Sequence, residues 1–252
     1  MPGEPGGFFR LVEASFGTLR ILRPVLWEPL QRSTMTFQRF RRVIPKSRKF
    51  MDTRASLSES PVIIADREAW EEINLRDAGT VEVEIGFGSG EYLLRRASQY
   101  PDRLFIGIEK KPGMITEVAK MVASRNLDNI RLLESCAREA FTDLFPACSV
   151  SRAYSLFPDP WPKRRHSKYR LFSTPYLRLL NNRLISGSEA LIVTDSEDYC
   201  NWVLTQLHGT GFEVENGTIP PQFDTRFERK WLKQDLSTFF RILLRKTEHI
   251  EA

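Results

Sequence analysis

The segment 157–170, FPDPWPKRRHSKYR, contains the residue types that a site for nucleic acid requires. It follows a strand-like run, and its prolines prevent that strand from continuing. The carboxylate of Asp159 lies between two prolines, close in sequence to the flat ring of Trp161. A carboxylate and a ring can hold a nucleobase, and the basic groups that follow can bind phosphates. These basic or potentially basic residues are Lys163, Arg164, Arg165, His166, Lys168 and Arg170. The alternative is a surface loop followed by a solvated run of charges.

A second candidate site is the glycine-containing segment 84–90, EIGFGSG. Glycines let a backbone turn sharply and approach a ligand closely. The dinucleotide fingerprint G-x-G-x-x-G would require a glycine where this chain has Glu91, whose carboxylate would repel a pyrophosphate. The segment therefore favours a cofactor without phosphates, and S-adenosylmethionine fits. Glu84 could hold the ammonium or sulfonium side of that cofactor.

Glu109 is the third candidate, because it ends the next strand-like run, 25 residues after Glu84. A carboxylate at such a strand end can accept hydrogen bonds from both hydroxyls of a ribose. The alternative is an exposed acidic residue in a loop.

Alternating apolar runs and helical patterns from Val81 onward must position these residues. The predicted strands are Val81–Ile85, Leu104–Ile108, Ile130–Leu133, Arg152–Phe157 and Ala190–Thr194. The predicted helices are Tyr92–Gln99, Gly113–Arg125, Arg138–Phe145, Thr174–Leu184 and Tyr199–His208. This alternation predicts an α/β fold, a mostly parallel central sheet with helices on both faces. Ligands of such sheets bind at the carboxyl ends of the strands, where all three candidate segments lie.

Charge is distributed unevenly along the 252 residues. Residues 1–50 contain ten Lys or Arg against three Glu, a net charge of +7, so the rest carries −2 of the total +5. We expect a basic, flexible extension over residues 1–60 and one catalytic domain over residues 61–252. Local basic patches on a nearly neutral body suit an anionic partner. The Arg-rich start permits organelle targeting, but a cytoplasmic location is favoured.

Cysteine and hydropathy patterns limit the remaining classes. Cys136, Cys148 and Cys200 are odd in number and lack metal-ligand spacing, which indicates reduced thiols and no metal site. No apolar run approaches the roughly 18–20 residues that cross a bilayer, so no membrane association is expected.

Five motifs resemble the bacterial-type tRNA (guanine-N7-)-methyltransferases, over about Val81 to Lys246. The family pattern E-x-G-x-G-x-G, G-I-E, F-P-D-P-W-P-K-x-R-H-x-K-R-R, T-D and T-x-F-E is met in this order. The matching segments are Glu84–Gly90, Gly107–Glu109, Phe157–Arg170, Thr194–Asp195 and Thr225–Glu228. The resemblance implies a Rossmann-like, S-adenosylmethionine-dependent methyltransferase fold. It also implies methyl transfer to N7 of guanine in the variable loop of tRNA, at tRNA position 46.

The same resemblance implies roles for individual residues. Asp159 is the catalytic residue. Cofactor-binding positions are Glu84, Gly86, Gly88, Glu109, Cys136 and Asp159. Substrate-binding positions are Lys163, Asp195, Thr225, Arg226, Phe227 and Glu228. RNA-binding positions are Arg165, His166, Ser167, Lys168, Tyr169 and Arg170. Because guanine N7 already carries a lone pair, the site must align it and stabilise a developing cation, rather than supply a strong base.

Two residues depart from the family pattern. Cys136 occupies the position of an Asp or Asn that recognises the adenine amino group, and a thiol is a poor acceptor, although Glu134 could substitute. Tyr169 replaces an Arg, which removes one phosphate contact and leaves a ring that could stack.

Two alternative functions follow from the sequence. The Cys136 departure motivates a non-catalytic tRNA-binding protein derived from this fold. A nicotinamide-dependent oxidoreductase would use a similar sheet, and Glu91 argues against it. We expect a monomer or homodimer, since nothing in the sequence requires a partner subunit.

Overall fold

Parallel strand pairing organises the part of the protein that the structure describes. A computed structural model describes residues 62–64, 67–75 and 77–247, except for the side chain of Arg164. The described strands are β1 (Ile63–Ile64), β2 (Val81–Ile85), β3 (Leu104–Glu109), β4 (Ile130–Glu134), β5 (Val150–Leu156), β6 (Leu184–Thr194), β7 (Phe212–Ile219) and β8 (Phe239–Lys246). They form one sheet in the order β1-β4-β3-β2-β5-β6-β8-β7. β8 pairs antiparallel with β6 and β7, and the other described strand pairs are parallel. The predicted α/β fold with a mostly parallel sheet is confirmed.

Helices connect the strands. They are α1 (Arg67–Glu71), α2 (Glu91–Gln99), α3 (Pro112–Ser124), α4 (Ala137–Asp143), α5 (Thr174–Arg183), α6 (Glu197–Thr205) and α7 (Arg226–Leu232), and a 3₁₀ helix covers Arg164–Tyr169. The five predicted strands and five predicted helices are all present, with shifted ends. The predicted extension over residues 1–60 lies outside the described residues, so its boundary stays a prediction.

The central strand β2 is buried along its whole length because helices cover both faces of the sheet. Val81, Val83 and Ile85 pack into the largest hydrophobic cluster. Glu82 and Glu84 occupy the alternate positions of the strand and are also buried. Two buried carboxylates in one central strand require partners, because an unpaired buried charge is costly.

Glu82 has those partners within the protein. Arg96 donates to its carboxylate at 2.8 Å, Arg103 at 2.6 Å and the Tyr154 hydroxyl at 2.8 Å. Burial opposes ionisation of this carboxyl, but the three donors outweigh burial and hold the pKa of Glu82 below its usual value. This cluster fixes α2 against β2 and β5, and so fixes the helix that follows the glycine segment.

Gly90 sets how closely α2 approaches α3. A Cβ atom at this position would lie 2.7 Å from Cγ2 of Val118, and the backbone φ is +74°. Both facts require glycine at the start of α2. The glycine segment therefore lies between two helices that pack tightly.

Candidate active site at the carboxyl ends of the strands

The glycine segment leaves β2 through a sharp turn. Gly86 and Gly88 have φ of +74° and +53°, and a Cβ atom at either would meet nothing within 4 Å. Their backbone conformation, and not a steric contact, is what favours glycine at both positions. The turn leaves open space above its backbone, which a ligand could approach closely.

Glu109, at the end of β3, holds this turn in place. Its Oε2 accepts a hydrogen bond from the Gly88 amide at 3.1 Å. Its Oε1 accepts from the amides of Lys110 at 2.7 Å and Lys111 at 3.1 Å. A carboxylate offers about four acceptor positions, and three are in use, so capacity remains for about one further donor, such as a ribose hydroxyl. The structure therefore gives Glu109 a defined place beside the glycine turn, and it is not a freely exposed acid.

Cys136 follows the neighbouring strand end. Glu134, the last residue of β4, pairs in register with Glu109. The Ser135 amide then donates to the Glu109 carbonyl at 3.0 Å, and Cys136 is the residue that precedes α4. The positions assigned to ribose and adenine binding therefore lie on adjacent strand ends.

Glu84, unlike Glu82, lacks hydrogen-bond donors for its whole carboxylate among the described residues. Its side chain is buried, and its Oε2 has no hydrogen-bond partner among the described residues. Burial raises the pKa of Glu84 to about 8, and the nearby carboxylates of Glu91 and Glu109 add to the shift. A buried acceptor atom that lacks a partner is consistent with a site where a cationic group of a ligand binds.

The proline-containing turn that carries Asp159 begins with a strained residue. Phe157 has φ of +56°, which is unusual for a bulky side chain, and its amide donates to the Val193 carbonyl at 2.7 Å. Its ring stacks on Phe227 at 4.9 Å between centroids and meets Phe239 edge-on at 5.0 Å. These contacts hold the turn against α7 and leave Asp159 exposed.

Arg170 stabilises the same turn from its other end. Its Nε donates to the Pro160 carbonyl at 2.9 Å, and its Nη2 donates to the Trp161 carbonyl at 3.3 Å. The guanidinium also lies over the rings of Trp202 at 5.0 Å and Tyr199 at 5.7 Å. Arg170 is half-buried and points toward its own chain, so the structure gives it a positioning role that the sequence did not indicate. Its predicted RNA contact stays a prediction.

The rest of the basic segment forms a surface with exposed aromatic groups. Lys163, Arg165, Lys168 and Tyr169 are exposed, and His166 and Ser167 are half-buried. The rings of Trp161, His166 and Tyr169 form a cluster with centroid separations of 5.4 to 6.1 Å. The Lys168 ammonium lies 5.2 Å from the Tyr169 ring. Rings and cations on one surface suit single-stranded nucleic acid.

The predicted substrate-binding tetrad 225–228 divides into two pairs. Thr225 caps α7 by accepting from the Glu228 amide at 3.1 Å. Glu228 is buried, and it accepts from the amides of Gln222 at 2.8 Å and Asp224 at 2.5 Å. Thr225 and Glu228 therefore build the start of the helix: Thr225 caps it as in a capping box, and the Glu228 carboxylate binds the amides of the loop before Thr225. Their predicted substrate contacts stay predictions.

Arg226 and Phe227, in contrast, face a cavity of about 570 Å³. The cavity joins the glycine turn and Glu109 on one wall to α7 on the other. Its lining residues are Gly88, Ser89, Glu109, Lys111, Met114, Arg226, Phe227, Arg229, Lys230 and Lys233. The site residues predicted from the sequence did not include Lys111, Lys230 or Lys233, although Lys230 and Lys233 belong to a basic concentration over Arg226 to Lys246. The helical spacing of Arg226, Lys230 and Lys233 was the signal that could have found two of them.

Two interactions hold α7 beside this cavity. Arg229 forms an ion pair with Glu91 at 3.0 Å, which links α7 to the first turn of α2, and it also pairs with Asp224 at 2.7 Å. Arg95 donates to the Phe223 carbonyl at 2.7 Å, just before α7. The wall formed by α7 is thus attached to the helix that follows the glycine turn.

Asp195 follows the end of β6 and is partly buried. Burial raises the pKa of its carboxyl, whereas the Lys230 ammonium acts in the opposite direction. This places an acidic group near the basic face of α7.

Within the described ranges, no group of three or more His, Cys, Asp or Glu side chains could hold a metal ion. No helix in the same ranges is long and apolar enough to cross a membrane.

Sequence comparison identifies relatives of this chain. A family model described as "Putative methyltransferase" matches residues 78–240. A tRNA (guanine-N(7)-)-methyltransferase of Chlorobium phaeobacteroides is 80% identical over 202 residues, which cover 80% of this chain and 99% of that protein. The chain belongs to the tRNA (guanine-N7-)-methyltransferase family. The family member of Thermotoga maritima is 36% identical over 71% of this chain, and the match spans 58% of that protein.

Solved structures of methyltransferases share the fold of this family member. The 16S rRNA methyltransferase KamB aligns with a TM-score of 0.56 and 15% identity, over 73% of this chain and 94% of that chain. An antibiotic-related methyltransferase aligns with a TM-score of 0.57 and 16% identity, over 74% of this chain and 98% of that chain. At such identities the likeness concerns the fold alone.

Proposed function

We propose that this chain transfers a methyl group from S-adenosylmethionine to N7 of guanine in tRNA. Its membership of the tRNA (guanine-N7-)-methyltransferase family supports this activity. The structural observation that carries the proposal is the cavity between the glycine turn and α7. One wall has groups suited to a methyl donor, and the other has Arg226 and Phe227, which the resemblance assigns to the substrate.

The residues at the ends of β2 and β3, beside the first wall, fit this cofactor. Glu84 offers a buried acceptor oxygen without a described partner, which suits the ammonium group of the amino-acid tail. Glu109 retains acceptor capacity for a ribose hydroxyl beside the three amides that it already binds, and the turn at Gly86 and Gly88 leaves space for close approach. When bound, S-adenosylmethionine supplies a methyl group on a cationic sulfur.

The acidic groups of the chain suit the electrostatics of the reaction. Guanine N7 needs no general base, but methylation leaves a positive charge on the purine. Asp159, held in the turn between Phe157 and Arg170, is the carboxylate that we assign to the reacting centre. Asp195 is partly buried, where a carboxylate acts on nearby charge through less water. Both would orient the base through its N–H groups and offset the developing charge.

The exposed surface around Lys163, Arg165, Lys168 and Tyr169 would bind the tRNA backbone and stack against an unpaired base. We propose the variable loop as the site of methylation, at tRNA position 46, as the family resemblance implies. Loops suit this chemistry, because proteins reach RNA bases most readily where they are unpaired.

Transfer of label from methyl-labelled S-adenosylmethionine to bulk tRNA tests the activity. Hydrolysis of the tRNA to nucleosides should recover the label as 7-methylguanosine. Label in another nucleoside, or no transfer by a protein that still binds tRNA, would refute the proposal and favour the non-catalytic tRNA-binding alternative. Asp159→Ala is the matched control, and it should bind tRNA without labelling it.

A further inference from the structure

One face of α7 presents a row of cations to the cavity. Arg226, Lys230 and Lys233 are spaced by four and then three residues, which places them on the same side of a helix. All three line the cavity, and Lys111 at the start of α3 joins them. All four side chains are exposed.

These cations lack anionic partners within the described part of the chain. Lys111, Arg226 and Lys233 form no side-chain ion pair there, and Lys230 lies over the rings of Phe227 at 5.8 Å and Trp231 at 5.4 Å. Lys230 acts on Asp195 only from beyond ion-pair distance. The intervening residue of α7, Arg229, differs because Glu91 and Asp224 neutralise it.

The cavity therefore carries excess positive charge. Glu109 is the only carboxylate among its lining residues, and three backbone amides already donate to it. Cations this close repel one another unless an anion lies between or beside them. The ligand that completes this wall should accordingly be an anion.

The methyl donor cannot be that anion. S-adenosylmethionine carries one carboxylate against an ammonium and a sulfonium, so its net charge is positive. The other substrate in the proposed function is a polyanion with a phosphate on every nucleotide. The distance from Arg226 to Lys233 along the helix is about 10 Å. Four consecutive phosphates of one strand cover about the same distance, because their three steps are about 3.4 Å each along a helix axis.

We propose that Arg226, Lys230, Lys233 and Lys111 form a phosphate-binding site for the RNA strand that carries the target base. The inference rests on the proposed function, and it adds a second backbone contact on a different element from the basic segment 163–170. The site binds phosphates irrespective of sequence, so it contributes affinity and orientation.

Binding of tRNA across a salt series tests this site. Each lost phosphate contact lowers the slope of log affinity against log salt by about 0.7 to 0.9. Lys230→Gln with Lys233→Gln should therefore reduce the slope by roughly 1.4 to 1.8. The tRNA KM should rise, while affinity for S-adenosylhomocysteine stays within twofold. Lys120→Gln with Arg125→Gln, two exposed cations near the C-terminal end of α3, is the matched control and should keep the parent slope.

A charge-conserving variant and a cofactor-binding measurement separate a phosphate site from a folding defect and from a cofactor role. Lys230→Arg should retain the slope, because it keeps the charge, and it shows that a change at this position is tolerated by the fold. An unchanged slope in the Lys230–Lys233 double variant would overturn the inference. So would an equal loss of affinity for S-adenosylhomocysteine, which would mean that the cations serve the cofactor.

Failure of the inference and failure of the proposed function give different results. A parent protein that forms 7-methylguanosine, with no slope change in the double variant, refutes the phosphate site alone. A parent protein that forms none, while the double variant lowers the slope, refutes the proposed reaction and leaves the phosphate site as an RNA contact.

Discussion

Replacing Glu109 by Gln should weaken the binding of S-adenosylhomocysteine. The carboxylate of Glu109 lies at the end of β3, where it already accepts three backbone hydrogen bonds, one of them from Gly88 in the glycine turn. Glutamine has nearly the same shape, but it loses the charge and replaces one acceptor oxygen by a donor. The substitution thus tests the acceptor function with little change in packing.

The size of the effect follows from the number of bonds involved. Hydrogen bonds to a charged acceptor contribute about 1.5–3 kcal/mol each, and Gln retains part of this. We expect a loss of about 1–3 kcal/mol, which is roughly a 5- to 150-fold rise in Kd. Because Oε2 also holds the Gly88 amide, some of this loss comes from a looser glycine turn.

Calorimetry with a modified ligand separates these two sources. The Glu109→Gln effect should shrink for an S-adenosylhomocysteine analogue that lacks both ribose hydroxyls, because that ligand makes no bond to Glu109. Glu117→Gln, an exposed carboxylate on α3, is the control and should bind both ligands like the parent. An undiminished effect with the dideoxy ligand would show that Glu109 acts only through the turn. Unchanged affinity for the natural ligand would remove it from the cofactor site.

Three further predictions concern the turn and the buried acid. Asp159→Ala should abolish most turnover and leave tRNA affinity nearly intact, since its role is in the transition state; a kcat near that of the parent would refute this. Arg170→Lys should lower kcat without reducing the salt slope of tRNA binding, because Lys keeps the charge but lacks the planar guanidinium fork that donates to Pro160 and Trp161. Lys168→Ala should instead reduce the slope by about one with kcat retained, and the opposite pattern would exclude the positioning role. Burial raises the pKa of Glu84 to about 8, so the native state keeps a proton that the unfolded chain loses above about 4.5. The free energy of unfolding should therefore fall as the pH rises between these values, and Glu84→Gln should flatten that fall in denaturant titrations; parallel profiles for parent and variant would contradict the assignment.

The central strands could be predicted because each is a short apolar run followed by a helical pattern. The last two strands could not. β7 is exposed along most of its length, so its residues show no buried face that a pattern could reveal. In β8, basic residues lie among the apolar ones, and this pattern indicates a charged surface segment more than a buried strand. Ile242 and Leu244 are nevertheless fully buried against β6.

Local motifs predicted where the candidate residues lie in the fold, but they did not predict how those residues contact one another. Glu84, Glu109 and Asp159 lie at strand ends, as the alternation of strands and helices required. The stacking of Phe157 on Phe227 joins residues 70 positions apart, and no local pattern carries such information. The inward direction of Arg170 depends on α6, whose aromatic rings the sequence does not place.

The structural role of Thr225 and Glu228 was accessible from the sequence, because T-x-x-E at the start of a helix is the pattern of a capping box. Thr225 forms its half of that motif, whereas the Glu228 carboxylate binds amides that precede Thr225. The resemblance to a family motif drew attention to substrate contacts instead. The structure separates these two roles by burial: Glu228 is 2% exposed, whereas Phe227 is 37% exposed and lines the cavity.

Chemical mapping of methylated tRNA tests the central claim most directly. A tRNA transcript would be incubated with the protein and S-adenosylmethionine, treated with borohydride and then with aniline, which cleaves the strand at 7-methylguanosine. The proposed function predicts one new cleavage, at a guanine of the variable loop, that is lost with Asp159→Ala. No cleavage in the presence of tRNA binding, or cleavage at guanines elsewhere, would contradict it.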